Sequence, residues 1–181
     1  MAFVFTPCPL AGLYEIQPEV FGDKRGNFFE SYSERDFTAA GITGRFVQDN
    51  QSLSVKGTLR GLHFQKKNPQ GKLVRVIEGE AFDVAVDIRG SSPTRGRWHS
   101  VILCGKKQNQ VYIPPGFAHG VLALTDRVIF AYKCTDFYYP GDEGGIIWND
   151  PVIGIPWPDM GVEYILAEKD KQWPFWGEIN P

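Results

Sequence analysis

Several features are scarce in this 181-residue sequence, and each absence excludes a class of protein. The three cysteines, Cys8, Cys104 and Cys134, are widely spaced and form no paired metal-binding pattern. Their odd number predicts neither a disulfide framework nor a zinc site and is typical of a reduced cytoplasm. No segment approaches the roughly 18 uninterrupted apolar residues of a membrane span, and the first residues lack the basic lead of an export signal. We therefore expect a soluble cytoplasmic protein.

The sequence also lacks a large excess of either positive or negative charge. The net charge is only −2, which gives no general attraction to nucleic acid or to an acidic membrane surface. Locally, no acidic residue occurs between Asp49 and Glu78, and the basic residues of this stretch are Lys56, Arg60, Lys66, Lys67, Lys72 and Arg75. This positive island is either an ordinary solvated surface or a binding surface for a phosphorylated small molecule.

Long helical patterns are the third absence, and without crossover helices a parallel α/β fold is excluded. Short strand-like runs alternate with Gly and Pro throughout, and nothing marks a linker, so we expect one all-β domain over residues 1–181, an antiparallel sandwich or jelly roll. In "AFDVAVDIR" the alternation places Phe82, Val84, Val86 and Ile88 on one face, which we expect to be core. The segment "SERDFTAAG" predicts a short helix that Ser33 caps and Gly41 ends.

Two short motifs are present whose combination resembles a cupin barrel. Gly57 followed after five residues by His63 resembles the opening of the first cupin motif, and "PPGFAHG", ending at His119, resembles the second. A metal-binding cupin would need a second histidine where Gln65 stands, and a carboxylate near Pro69. Because an amide does not replace these ligands, we expect neither a catalytic metal nor another cofactor.

Without a metal, His63 needs an explanation of its own. A single histidine is more often structural than catalytic, yet imidazole is a good base near neutral pH when a carboxylate orients it. Asp83, Asp87 and Asp170 are candidates for that carboxylate, and spacing does not choose among them.

Wider matching points to one family. The chain resembles the dTDP-4-dehydrorhamnose 3,5-epimerases, which are metal-free cupins, through ordered blocks that cover almost its whole length. These blocks are "FGDKRGNFFE", "FVQDNQS", "GTLRGLHFQ", "QGKLVRVIEGEAFDVAVDIR", "SPTRGRW", "IPPGFAHG", "AYKCTDFYYP", "EGGIIWNDP" and "AEKD". The resemblance implies inversion of C3 and C5 of dTDP-4-dehydro-6-deoxy-D-glucose beside its C4 ketone, in dTDP-L-rhamnose biosynthesis. It also implies a homodimer.

The same resemblance implies a role for each matching position. His63 would be the base, oriented by Asp170, with Tyr132 as the acid on the opposite face of the sugar and Lys72 stabilising the oxyanion. Tyr138 would stack on the thymine. The remaining contacts to the nucleotide sugar would come from Arg25, Glu30, Gln48, Asn50, Arg60, His119, Glu143 and Lys169.

The residue types make chemical sense independently, because an α-proton can be removed if positive charge meets the enolate oxygen. One position raises a difficulty. In a regular strand Arg60 and His63 point to opposite faces, since their separation is odd, unless Gly61 allows a bulge. The tryptophans Trp148, Trp157, Trp173 and Trp176 are expected to pack the C-terminal arm or an oligomer contact, without chemical roles.

Three alternatives remain open. A relative of the same fold and ligand would invert a single carbon or shift the ketone between C3 and C4. A cupin binding module would keep the barrel and the basic pocket without catalysis. A metal-dependent cupin oxygenase would contain a stoichiometric transition metal.

Overall fold

The computed structural model describes residues 2–179 and consists mainly of antiparallel β-strands. No helix within that range is long and apolar enough to cross a bilayer. The strands are β1 (Phe3–Pro7), β2 (Tyr14–Pro18), β3 (Phe21–Asp23), β4 (Gly26–Phe28), β5 (Gln48–Ser54), β6 (Leu59–Gln65), β7 (Lys72–Glu78), β8 (Glu80–Asp87), β9 (Trp98–Cys104), β10 (Gln110–Ile113), β11 (Phe117–Ala123), β12 (Val128–Cys134) and β13 (Glu143–Gly145).

Two sheets face each other, as the jelly-roll prediction requires. One contains six strands in the order β1-β2-β10-β7-β12-β5, and the other contains five in the order β13-β6-β11-β8-β9. Strands β3 and β4 form a separate hairpin. The predicted all-β jelly-roll class is therefore confirmed.

The predicted short helix is α1, Glu34–Ala39. The Ser33 hydroxyl accepts a hydrogen bond from the Asp36 amide, which satisfies one of the free N–H groups of the first turn. Its Phe37 side chain packs with Phe3 and Tyr112 on the outer face of the six-stranded sheet. Three single-turn 3₁₀ helices lie at Pro140–Asp142, Glu168–Lys171 and Trp176–Glu178.

Strand β8 is buried on both faces, which the alternating sequence pattern only half predicts. Ala81 and Ala85 face the core between the sheets, whereas Phe82, Val84 and Val86 face outward. The outer face is covered by the C-terminal segment, including Trp148, Trp157 and Trp176, in agreement with the predicted packing of these tryptophans. Because both faces of β8 are packed, the strand holds its hydrogen-bonded neighbours β11 and β9 in fixed positions.

The bulge suspected at Gly61 is present in β6. His63 pairs with His119 and Arg60 pairs with Val121, so two residues of β6, Gly61 and Leu62, stand opposite Gly120 alone. The extra residue turns Arg60 and His63 into the same cavity, which both side chains line. The bulge resolves the odd spacing between them.

Gly61 allows this because it has no side chain. Its φ is +124°, and an added Cβ would lie 2.6 Å from the Gly120 Cα and 2.8 Å from the His119 carbonyl oxygen. Gly61→Ala should lower the free energy of unfolding by about 1–3 kcal/mol or more, through the strained backbone and the displaced strand β11. Chemical denaturation would measure this loss. Gly90→Ala, at a position with nothing within 4 Å, is the control; equal stabilities for the two variants would contradict the role of the bulge.

Candidate active site

A cavity of about 440 Å³ lies between the two sheets and opens to solvent. Eleven of the thirteen residues predicted for the site line it. They are His63, Tyr132, Asp170, Lys72, Gln48, Asn50, Arg60, His119, Tyr138, Glu143 and Lys169. Its volume falls within the range of pockets that bind small molecules.

His63 and Asp170 form a close pair on the β6 side of the cavity. His63 Nε2 donates to Asp170 Oδ1 over 2.6 Å, and the carboxylate side chain is only 2% exposed. Burial alone would raise the pKa of Asp170, but the hydrogen bonds from His63 and Trp173 and the interaction with the imidazole hold it below its usual range. Asp170 thus stays ionised, fixes the proton on Nε2 and leaves Nδ1 with a free lone pair.

The structure shows which of the three candidate carboxylates is the partner of His63. Asp83 accepts from His119 Nε2 at 2.8 Å, and both groups are buried. Asp87 is bound by the guanidinium of Arg89 and by neighbouring hydroxyls, away from the cavity lining. Asp170 is therefore the partner of His63, and Asp83 performs the equivalent role for His119.

Trp173 was given no chemical role from the sequence, and the structure places it directly behind the pair. Its indole Nε1 donates to Asp170 Oδ1 over 3.2 Å, and its ring meets the His63 ring edge-on at 6.1 Å. It therefore supports the carboxylate that orients the His63 imidazole. A tryptophan three residues after an aspartate carries no recognisable signal, so only the folded chain reveals this contact.

Tyr132 and Lys72 approach from the opposite sheet. Tyr132 belongs to β12 and Lys72 to the adjacent strand β7, and the Lys72 ammonium lies 6.0 Å from the centre of the Tyr132 ring. Burial raises the pKa of Tyr132, so its hydroxyl remains protonated. Burial lowers the pKa of Lys72. The His63 imidazole on one sheet and the Tyr132 phenol and Lys72 amino group on the other thus line the same cavity.

The mouth of the cavity is polar and aromatic. Lys169 donates to Glu143 at 2.8 Å, and Tyr138, 49% exposed, has its amide held by the Gln48 side chain at 3.0 Å. Gln48 in turn donates to Asn50 over 2.9 Å. An exposed ring beside such a network is a suitable platform for stacking a base.

The cavity residues do not form a cupin metal centre. Gln65, at the position of a second histidine ligand, donates to the Asn68 and Phe137 carbonyls and accepts from the Tyr139 amide. His63 and His119 each have a ring nitrogen occupied by a carboxylate. Gln65 therefore fixes two loops, and this donor set does not fit a transition metal.

The positive island is divided by the fold. Arg60 and Lys72 line the cavity, whereas Arg75, three residues after Lys72, lines a groove on the other face of its sheet. Lys66 and Lys67 are exposed to solvent. Only part of the island can therefore contact a ligand in the cavity.

Two predicted contacts do not reach this cavity in the single chain. Arg25 lies in the β3–β4 hairpin, almost fully exposed, and pairs with Asp23. Glu30 is also exposed, just beyond the hairpin. Neither lines the cavity.

Comparison with known proteins agrees with this geometry. The family model described as dTDP-4-dehydrorhamnose 3,5-epimerase matches residues 7–178. The chain belongs to the dTDP-4-dehydrorhamnose 3,5-epimerase family. The family enzyme of Methanothermobacter thermautotrophicus is 53% identical over 172 residues, which cover 94% of this chain and 93% of the relative.

Solved structures of the epimerase family share the fold. The dTDP-6-deoxy-D-glucose-3,5-epimerase of Legionella pneumophila, in complex with dTDP-4-keto-L-rhamnose, aligns with a TM-score of 0.95 and 47% identity, covering 98% of this chain and 95% of that one. A 3'-monoepimerase from Streptomyces bikiniensis, in complex with dTDP-quinovose, aligns with a TM-score of 0.88 and 33% identity, covering 93% and 86%. The fold thus serves both double and single epimerases.

Proposed function

We propose that the chain, as a single cupin domain over residues 1–181, is an isomerase that inverts C3 and C5 of dTDP-4-dehydro-6-deoxy-D-glucose. The product is dTDP-4-dehydro-L-rhamnose, an intermediate of dTDP-L-rhamnose biosynthesis. The observation that carries this proposal is the placement of His63 and Tyr132 on opposing sheets of one cavity. The relatives' names and their high identity support the same substrate.

Each inversion consists of two proton transfers. The free nitrogen of His63 removes the proton from the carbon next to the ketone, and the C–H electron pair moves into an enolate whose charge rests on the C4 oxygen. The Lys72 ammonium donates to that oxygen and stabilises the negative charge. Tyr132 then returns a proton to the same carbon from the opposite face, which restores the C4 ketone and leaves a phenolate. Solvent reprotonates the phenolate and takes up the proton that His63 gained, so both residues return to their starting forms. Repetition at the second carbon completes the reaction.

The remaining cavity residues bind and orient the nucleotide sugar. The Arg60 guanidinium can bind diphosphate oxygens with two parallel hydrogen bonds, and Lys169 adds positive charge at the mouth. Gln48, Asn50, His119 and Glu143 supply polar contacts, and Tyr138 offers its ring to the thymine.

Product analysis by NMR tests the function. Incubation with dTDP-4-dehydro-6-deoxy-D-glucose should yield the sugar inverted at both carbons. A product inverted at one carbon, or one with a displaced ketone, would assign the chain to the single-centre alternative, and binding of dTDP without turnover would assign it to the binding modules. The greater identity to the double epimerase favours inversion at both.

Lys72 should set the alkaline limit of this reaction. Only the ammonium form stabilises the enolate, so kcat should fall as pH rises through the lowered pKa of Lys72, before the ordinary lysine value of about 10.4. The raised pKa of Tyr132 makes its deprotonation a later event. In Lys72→Arg, whose charge persists, the normalised pH profile should extend to higher pH; an unchanged alkaline limb would contradict the assignment.

We also propose that the chain is a homodimer located in the cytoplasm. Strand β1 is the edge of its sheet, and the apolar side chains of Val4, Phe21 and Phe28 are 64%, 56% and 70% exposed. Edge strands and apolar patches of this kind favour association with a second copy. The three cysteines are free thiols, which is compatible with a reduced compartment.

We propose that dimerisation brings Arg25 and Glu30 to a substrate, with the exposed hairpin of one protomer entering the cavity of its partner. Subunit mixing tests this idea. Arg25→Ala and His63→Ala homodimers should each be impaired. A mixed dimer would contain one intact site of two, so it should recover up to about half of the activity of a wild-type dimer. Failure of mixed dimers to recover activity, with exchange of subunits verified by mass spectrometry, would contradict action across the interface.

A further inference from the structure

A second group of reactive side chains lies outside the catalytic cavity and is used by no step of the reaction. Cys8, Glu15 and His99 place a thiol sulfur, a carboxylate oxygen and an imidazole nitrogen within 4.8 Å of one another. Within residues 2–179 this is the only group of three such donors close enough to hold a metal ion together. None of the three lines the cavity.

We propose that Cys8, Glu15 and His99 bind a zinc-type divalent metal ion. Sulfur, nitrogen and oxygen donors are the set that Zn²⁺ accepts, with Co²⁺ as its spectroscopic substitute. Bonds of about 2.0–2.3 Å in a tetrahedron require donor separations of roughly 3.3–3.6 Å. His99 Nε2 and Glu15 Oε1 already lie 3.1 Å apart, and the Cys8 sulfur, within 4.8 Å of the other two donors, would move closer to them when a metal binds.

The three donors are carried on rigid backbone. Cys8 directly follows β1, and its amide donates to the Leu13 carbonyl at 2.9 Å, which closes the β1–β2 connection. Glu15 sits within β2, paired with strands on both sides, and His99 pairs with Ala85 of β8. Ligands held by strands lose little freedom when they bind a metal.

The site joins the two sheets. Glu15 belongs to the six-stranded sheet, whereas His99 lies on β9, the edge strand of the five-stranded sheet. The side chains of His99 and Glu15 are 24% and 46% exposed, so an ion can enter and a water molecule can complete its coordination. A bound metal would therefore stabilise the sandwich by linking an edge strand to the opposite sheet.

The ion pair between Glu15 and His99 alone would be a surface contact of little consequence. Two other pairs in the chain serve as controls, because each has two of the three donor types and lacks the third. Cys104 donates to Glu80 at 3.2 Å without a histidine nearby in hydrogen-bond contact, and His63 donates to Asp170 without a thiol. Neither pair belongs to a three-donor group in the described part of the chain.

Zinc titration of the reduced, metal-stripped full-length protein by calorimetry tests the proposal. One Zn²⁺ per chain should bind, and Cys8→Ser and His99→Asn should each weaken binding at least about tenfold. Cys104→Ala and His63→Ala should bind as the parent does. Absence of binding at micromolar zinc, or binding that survives Cys8→Ser and His99→Asn, would overturn the proposal.

Two further readouts remain informative if one variant folds poorly. With Co²⁺, the parent should show a thiolate-to-metal charge-transfer band that His63→Ala retains and Cys8→Ser lacks. Zinc should also raise the thermal unfolding midpoint of the parent but not that of His99→Asn, whose altered side chain is partly exposed. A cobalt spectrum without a thiolate band, or equal zinc stabilisation of His99→Asn, would contradict the assigned ligands.

Discussion

His63→Ala should lower kcat about 10²–10⁴-fold, the range expected when a general base is removed. In the proposed mechanism the imidazole acts through its free nitrogen, because Asp170 holds the proton on Nε2. KM should change little, because the proposed binding contacts at Arg60, Tyr138 and Lys169 remain. Steady-state kinetics with the keto sugar measures both parameters.

His99→Ala is the matched control for this prediction. His99 also contacts a carboxylate, that of Glu15, but it lies outside the cavity. Its replacement by alanine should therefore leave kcat unchanged. Added imidazole should partly restore the His63→Ala variant, since the vacated space can admit a small base. If His63→Ala keeps a kcat near that of the parent, His63 is not the base and the proposed chemistry is wrong.

Tyr132→Phe should separate proton removal from inversion. His63 can still remove the α-proton, exchange it with solvent and return it to the same face, because that histidine side chain is 23% exposed. Without the hydroxyl, delivery to the opposite face should fall about 10²–10⁴-fold. In D₂O the recovered substrate should therefore gain deuterium with its configuration retained, while inverted product accumulates slowly.

Tyr139→Phe provides the control, because its neighbouring ring lies outside the cavity lining and its contact to Gln65 is made by the backbone amide. It should exchange and invert like the parent. Wild-type inversion by Tyr132→Phe would remove that residue from the reaction. Loss of both exchange and inversion, with dTDP still bound, would contradict the division of labour between two residues.

The set of residues that meet in the cavity was largely predictable from the sequence, because the resemblance to the epimerase family assigns a place to each matching position. His63, Lys72, Tyr132 and Asp170 come from four separate segments, and the structure brings all four to one cavity. Spacing alone could not pair His63 with Asp170, since 107 residues separate them and two other aspartates were equally suitable. That choice depends on the path of the C-terminal segment.

The features that the sequence missed depend on packing between distant segments. Alternation in β8 predicts burial of the face that carries Phe82, Val84 and Val86, but it is the C-terminal segment that covers this face. The opposite face, with Ala81 and Ala85, is buried in the core between the sheets, which the alternation does not predict. Trp173 acts through a hydrogen bond to Asp170 that no local pattern encodes. The hairpin that carries Arg25 does not line the cavity of its own chain, and no local sequence pattern encodes this separation.

Deuterium incorporation during turnover by the unmodified protein tests the central claim most directly. In D₂O, NMR of the product should show one deuteron at C3 and one at C5, both with inverted configuration. In the proposed mechanism each carbon receives its new hydrogen from the Tyr132 hydroxyl, which exchanges with solvent and carries a deuteron in D₂O. Product that retains substrate hydrogen at either carbon, or the absence of exchange and inversion in folded protein that binds dTDP, would contradict the proposed two-sided epimerisation.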